Sequence, residues 1–323
     1  MNREQQTRKP GPRVWLSGLL VLGCFGLAAS ATAESVVPGG TVPYAWYRAD
    51  TGVILNDDDE VVGWADQSGN ARDVDVVSGS PLQTNNAPNG GPTLTFDGND
   101  IFVGQPLLDP LGTPDPTKWG YAAAGTVLAV WSPTDYDPAH REDITYVYDG
   151  RQPASGKAYM YRQFLSYSRT HEGDTGEVLG QYIEVGARDV TLVAYNVGGI
   201  PTADIPGMEG DILGKWLATT TTHTTGTNDV FRINGWQAFS GNLYGEGING
   251  LTIGADRRIN AYEFRGHMAE LIVFEGALSP TEMASVEAAV MDRWAVTAIP
   301  EPGSCAMVLG LALAAALLRR RLR

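Results

Sequence analysis

Hydrophobic positions in this chain recur in short alternating runs, and helical spacing is almost absent before residue 279. Runs rich in β-branched and aromatic residues occupy 125–131, 144–148, 158–165, 182–185, 190–195, 216–222, 230–233, 251–253 and 268–274. Gly, Pro, Asn and Asp clusters separate them. Short runs of this kind between turn formers predict strands, and many in succession predict an antiparallel sandwich. Asn234-Gly235, between Phe231-Arg232-Ile233 and Trp236-Gln237-Ala238, predicts a two-residue type I′ hairpin, because both turn positions need positive φ. The threonine run 219–222 follows Trp216-Leu217 and reads as an edge or partly solvated strand, since Thr suits a pleated surface. One helix stands apart. Ser279-Pro280-Thr281-Glu282 pairs a capping box with Pro at the first helical position. Met283, Val286, Val290 and Trp294 then recur at spacings of three, four and four, an apolar stripe suited to lie on a sheet. The expected fold is all-β: a two-sheet antiparallel jelly-roll sandwich with one short C-terminal helix on it.

The two ends read as addresses. Arg3, Arg8, Lys9 and Arg13 precede an apolar stretch at 14–29, and Ala31-Thr32-Ala33 follows it. This is the layout of an export signal with a small-x-small cleavage site at Ala31 and Ala33, so the mature chain is expected to begin at Glu34. Val21-Leu22-Gly23-Cys24 also approaches a lipobox, which leaves lipidation at Cys24 open. At the other end, Ile299-Pro300-Glu301-Pro302 leads into an apolar run at 305–318 and then Arg319, Arg320, Arg321 and Arg323. That run is shorter than the roughly 20 residues of a stable bilayer helix. The arginines would stay cytoplasmic and hold the body outside. The expected organisation is a signal at 1–33, one domain at 34–297 and a sorting tail at 298–323.

Composition narrows the body further. Both cysteines, Cys24 and Cys305, lie in the end segments, so the body has neither disulfides nor thiolate metal sites. The whole-chain charge of -14 understates the acidity of the body, because so many of its bases sit in the ends. An acidic surface repels nucleic acid and leaves neutral glycans, calcium and basic protein partners open.

The tail resembles the PEP-CTERM sorting signal of bacterial envelope proteins, carried by Pro300, Glu301 and Pro302. That resemblance implies an exosortase-type processing enzyme, at least transient membrane contact through the tail, and delivery to the cell envelope, surface or extracellular matrix. An ordinary uncut anchor is the alternative. Within the body, three blocks resemble the LamG-like (concanavalin A-like) jelly-roll family. The first is Trp46-Tyr47-Arg48-Ala49-Asp50 with Trp64-Ala65-Asp66-Gln67-Ser68-Gly69-Asn70. The second is Leu94-Thr95-Phe96-Asp97-Gly98-Asn99-Asp100, and the third runs from Ile253-Gly254-Ala255-Asp256 to the helix and Trp294. The resemblance spans about 44–297 and is thin between 100 and 225. It implies fold more than function, because this fold hosts lectins, glycosidases and adhesion modules. Asp66, Asn70, Asp97 and Asn99 lie beside glycines, where such side chains bond their own turn backbone. Trp46, Trp64 and Phe96 are the groups those turns would fold onto the core.

Three chemistries are open. Glu172, Asp174 and Glu177 match the longer form of the acidic motif of laminarinase-type glycosidases in the same fold. The intervening Gly173, Thr175 and Gly176 read instead as a solvated turn, whereas that motif lies on a strand. Asp57 and Asp59 in one acidic loop, and Asp97 and Asp100 in another, offer hard oxygen donors for Ca2+ without EF-hand spacing. Tyr146 with Tyr148, and Tyr159 with Tyr161, share strand faces by alternation and could form a stacking platform for a glycan, or equally lie in the core. His140, His171, His223 and His267 show no zinc-ligand spacing and read as surface or turn residues. The expected activity is non-catalytic recognition of a neutral glycan or an envelope protein, with a glycosidase or a passive structural component as alternatives.

Overall fold

The computed structural model of the chain describes residues 37, 40–104, 125–134, 144–149, 162–167, 181–186, 199–201, 206, 213–223, 229–241, 250–255 and 263–300. The N-terminal third contributes β1 (Ala45–Arg48), β2 (Val53–Leu55), β3 (Val61–Trp64), β4 (Val74–Ser78), β5 (Leu82–Thr84), β6 (Thr93–Asp97) and β7 (Ile101–Gly104). The middle contributes β8 (Gly125–Pro133), β9 (Ile144–Asp149), β10 (Arg162–Tyr167), β11 (Gln181–Gly186) and β12 (Gly199–Pro201). Then come β13 (Leu217–His223), β14 (Asp229–Ile233), β15 (Trp236–Gly241), β16 (Leu251–Ile253) and β17 (Arg265–Glu275), followed by the helix α1 (Pro280–Trp294). Of the expected strands, 190–195 lies outside the described residues.

The strands form two sheets with antiparallel pairing throughout the described residues. The first runs β15-β14-β13-β8-β17-β6-β5, and the second β12-β11-β10-β9-β16-β7-β4-β3-β2. β1 joins the first sheet beside β17, opposite Glu270 to Val273, while β6 pairs with the other half of the same edge. The expected all-β sandwich with a C-terminal helix is therefore the observed architecture.

Two apolar layers hold it together. Between the sheets, a run of aromatic rings links Tyr47 to Trp64, then Phe102, Phe96, Phe264 and Trp131, with successive centroids 5.6–6.2 Å apart. These tilted and edge-on contacts are the arrangement ring quadrupoles prefer. On the far side of the first sheet, Trp46, Leu128, Val130, Ile272 and Phe274 meet Val286, Val290 and Trp294 of α1. β8 and β17 are thus covered on both faces, which is why their sequences are almost continuously apolar.

α1 begins as its sequence predicts. Ser279 Oγ accepts from Glu282 N, and Glu282 Oε2 accepts from Ser279 N. It ends at Ala295, which adopts φ 55°, while Val296 N donates to Met291 O at 2.9 Å. This left-handed cap reverses the chain and buries Val296 against the helix side of the sheet. The hairpin prediction also holds, with φ of 48° at Asn234 and 81° at Gly235.

The threonine run corrects an expectation. β13 lies between β14 and β8 rather than at an edge, and Thr219, Thr220, Thr221 and Thr222 are all buried. Two of their hydroxyls serve the interior instead of solvent: Thr219 Oγ1 accepts from Trp131 Nε1, and Thr222 Oγ1 from Val230 N.

Candidate functional site

The acidic turns resolve into bracing. Asp57 and Asp59 belong to the turn joining β2 and β3, where Asn56 Oδ1 accepts from the Asp58 and Glu60 amides. Both acids are exposed, and Asp59 takes the left-handed φ of 62° that Asp tolerates. Asp100 is buried, its Oδ1 accepting from Ser80 N and its Oδ2 from Asp97 N, each at 2.7 Å. Asp97 Oδ1 accepts from Asn99 N. Asp97 and Asp100 are therefore neighbours, as the sequence suggested, but three of their oxygens face backbone amides rather than a shared cation position. Among the described residues no group of three or more His, Cys, Asp or Glu side chains converges for a metal.

Asp100 carries a measurable consequence. Burial holds its carboxyl above the usual range, with nearby Asp97 adding to the rise and the two amides opposing it. A carboxyl raised in the fold contributes stability below its unfolded pKa and loses that contribution as pH rises through the folded value. Asp100→Asn is expected to flatten this part of the stability–pH curve. It should also cost roughly 1–2 kcal/mol, because an amide cannot accept from both N–H groups. Urea unfolding of the two proteins between about pH 3 and 6 checks it; parallel curves would refute the assignment.

The tyrosine platform is corrected in part. Tyr148 is buried within the inter-sheet core, 1% exposed, and burial pushes its phenol pKa up. Its neighbour Val147 is buried as well. A register shift opposite Gln163 and Phe164 breaks the alternation of β9 there, so Tyr148 cannot be assigned to an exposed ladder with Tyr146 by counting residues. Tyr146 lies on β9, while Tyr159 and Tyr161 lie outside the described residues. So do Glu172, Asp174, Glu177, Ala31, Ala33, Glu301 and Pro302. Pro300 is described and exposed.

A different concavity forms on the helix-bearing side of the first sheet. It has a volume of about 490 Å³ and is lined by Pro88, Lys215, Trp216, Asn234 and the segment 295–300. Three local structures converge to make it. The half-buried Trp216 directly precedes β13. Asn234 turns the β14–β15 hairpin back, and its Oδ1 accepts from Ala218 N at 2.7 Å while its Nδ2 donates to Trp216 O at 3.3 Å. The segment after α1 returns along this corner, with Ile299 N donating to Asn234 O at 2.8 Å. Asn89 Nδ2, on the loop between β5 and β6, fastens the same corner by donating to Arg293 O.

Trp216 has a polar neighbourhood. Its ring stacks on His267, centroids 6.2 Å apart and planes at 15°. His267 Nδ1 lies 2.9 Å from Thr95 Oγ1, and Asn86 Nδ2 lies 3.4 Å from Nε2. Burial lowers the pKa of His267, favouring the neutral ring. His267 is therefore a half-buried residue of the central strand β17, not the surface or turn residue its sequence context suggested. Sequence reading missed Trp216 and His267 as a pair because they lie far apart in the chain, one just before β13 and the other on β17. The one available signal was a large aromatic beside Lys215 immediately before a strand.

The arrangement offers an aromatic wall, an ammonium, an amide, the Thr297 hydroxyl and apolar proline surface. Its size lies within the range of small-molecule sites, and its mixture of apolar wall and few polar groups is typical of them. Among the described residues that line it, none is Asp or Glu.

No family model matches this chain, and no curated protein matches it. Solved structures do share its fold. An arabinofuranosidase complexed with arabinofuranosyl-alpha-1,2-xylobiose is 12% identical, with a TM-score of 0.54, and the alignment covers 79% of this chain and 64% of that one. A GH54 α-L-arabinofuranosidase soaked with a cyclic sulfate inhibitor is 13% identical, with the same TM-score and coverage. The chain therefore spans about two thirds of those structures. Domain 4 of AbnA, an extracellular GH43 arabinanase from Geobacillus stearothermophilus in complex with arabinotriose, is 15% identical, with a TM-score of 0.45 and coverage of 75% and 97%. At these identities the likeness to the arabinofuranosidases is one of fold.

Proposed function

We propose that this protein is an exported surface or matrix component whose LamG-like domain holds a neutral glycan in the Trp216 cleft without cleaving it. The observation that carries this reading is the cleft itself: an aromatic wall beside an ammonium, an amide and a hydroxyl, with no carboxylate among the described residues that line it. Sugar rings present C–H faces that pack on aromatic surfaces and hydroxyls that take directional hydrogen bonds, so both halves of the lining have a use. The acidic body disfavours uronic or sulfated chains by like-charge repulsion, which narrows the ligand to neutral sugars. The signal-like N-terminus and the PEP-CTERM-like tail support delivery to the envelope, with an exosortase-type enzyme as processing partner. The arabinofuranosidase complex makes arabinoxylan fragments sensible first probes.

Calorimetry with arabinofuranosyl-α-1,2-xylobiose, cellotriose and a uronic trisaccharide, each with and without calcium, tests the proposal. Binding of a neutral sugar is expected, with Trp216→Ala weakening it about tenfold or more, as loss of a central aromatic anchor does. Retained affinity in Trp216→Ala would move the site elsewhere on the domain. Absence of binding to every sugar would favour a structural envelope role. Release of reducing ends would restore the glycosidase reading.

A further inference from the structure

The segment that leaves the domain also walls the cleft. Ala295, Val296, Thr297, Ala298, Ile299 and Pro300 all line it, opposite Trp216 and Lys215. The segment is fastened unevenly. At its start, the Val296 amide bonds to Met291 O and the Val296 side chain is buried on the helix side of the sheet. At its far end, the Ile299 amide bonds to Asn234 O, and the half-buried Ile299 side chain packs against the margin of the inter-sheet core. Thr297 and Ala298 between them are exposed. A segment with a buried anchor at one end, a half-buried one at the other and an exposed middle belongs to the low-stability end of a structure, able to open while the sheets stay intact.

Asn234 connects this segment to the opposite wall. Its backbone carbonyl takes the Ile299 amide, while its side chain holds the Trp216 carbonyl and the Ala218 amide. One hairpin residue thus positions both sides of the cleft, and its turn conformation at φ 48° sets the spacing between them.

We propose that residues 295–300 are a strap that closes the Trp216 cleft from one side, so that seating of the strap and occupancy of the cleft stabilise each other. The ligand half of this statement rests on the recognition reading above; the seating half does not. Linkage requires reciprocity: a sugar touching both walls holds the strap down by the same factor by which a seated strap improves binding of the sugar. The strap is also the stretch through which the chain passes into Pro300-Glu301-Pro302. A filled cleft would therefore shield the approach to that motif from proteases.

The full-length chain carries the test, with Ile299→Ser as the strap variant because it removes the apolar anchor and leaves the backbone bond possible. Without any sugar, proteinase K cleavage within 297–300, mapped by mass spectrometry, should be about tenfold faster in Ile299→Ser than in wild type. Emission assigned to Trp216, by difference from Trp216→Phe in each background, should be quenched at least about twofold more by acrylamide in Ile299→Ser. Wild-type cleavage as fast as in a free peptide of residues 293–302, or unchanged quenching, would overturn the strap whatever the fate of the glycan reading. With arabinofuranosyl-α-1,2-xylobiose present, the wild-type strap should be protected, and Ile299→Ser should lose about fivefold or more in affinity. If Trp216→Ala abolishes binding while Ile299→Ser binds as wild type, recognition stands and the strap falls. If no sugar binds, the recognition reading falls and the two sugar-free measurements decide the strap.

Discussion

Glu270→Ala is expected to lower the folding free energy by about 3–5 kcal/mol, the cost of breaking a buried ion pair by removing one partner. Glu270 sits on β17 beneath α1 with no solvent exposure. Its Oε1 accepts from Trp46 Nε1 and from Arg293 Nη1 at 2.6 Å, and its Oε2 accepts from Trp294 Nε1. Burial pushes its carboxyl up, and the Arg293 guanidinium is the main influence drawing it back. One side chain therefore satisfies two buried indoles and a cation, tying β1, β17 and the last turn of α1 together. Alanine would strand the two buried indole donors where water cannot replace the acceptor and leave the partly buried Arg293 without its counter-ion. Glu270→Gln keeps one acceptor oxygen and the volume, and should cost clearly less than Ala. Urea unfolding followed by tryptophan emission measures both; a loss below about 1 kcal/mol for Ala would show that the node does not hold the helix.

The second large effect is expected at Phe102. Phe102→Ala should cost about 3–5 kcal/mol, from lost burial plus the cavity left in a packed core. Phe102 is fully buried on β7, between Trp64 at 6.2 Å and Phe96 at 5.8 Å between centroids. It links Trp64 of the second sheet to Phe96 of β6 in the first, which in turn meets Phe264. Its neighbours are themselves large and tightly held, so collapse into the space is restricted and the cavity contribution should lie toward the upper end. Leu82→Ala, at a site 62% exposed, is the matched control and should change stability by no more than about 0.5 kcal/mol. Equal effects at the two positions would mean that the aromatic run does not organise the core.

The blocks near Trp46, Trp64 and Phe96 show how far local reading reaches. Asp66 was recognisable as a turn residue from its glycine-rich surroundings. Its Oδ1 does accept from Ser68 N, and also from Trp46 N twenty residues away. The first bond follows from local stereochemistry, whereas the second requires β1 to lie beside that turn. Trp46 and Trp64 looked alike as core residues, and both are buried, yet they serve different layers. Trp64 belongs between the sheets and Trp46 under the helix. Nothing in the flanking residues distinguishes them, because the side of a sheet on which a residue falls depends on pairing register. The threonines of β13 failed for a related reason: their composition suited a solvated edge, and only the neighbouring β8 and β14 placed them inside.

For the candidate site the division is sharper. Alternating runs, the Asn-Gly turn, the capping box and the stripe from Met283 to Trp294 depend on contacts within a few residues, so the all-β class, most of the strands after residue 125 and the helix that covers one sheet are legible without tertiary information, whereas β1 to β7 are not. The sequence by itself also located the turn at Asn234 and the aromatic at Trp216. The cleft depends on bonds spanning long separations: Trp216 with His267, Asn234 with Ile299, Asn89 with Arg293. Those pairs meet only because the strand order sets β13 and β17 on either side of β8 in one sheet and the left-handed cap at Ala295 turns the chain back toward the hairpin. Local periodicity encodes which residues face the same way, and the closure of the sheets decided which of them share a wall.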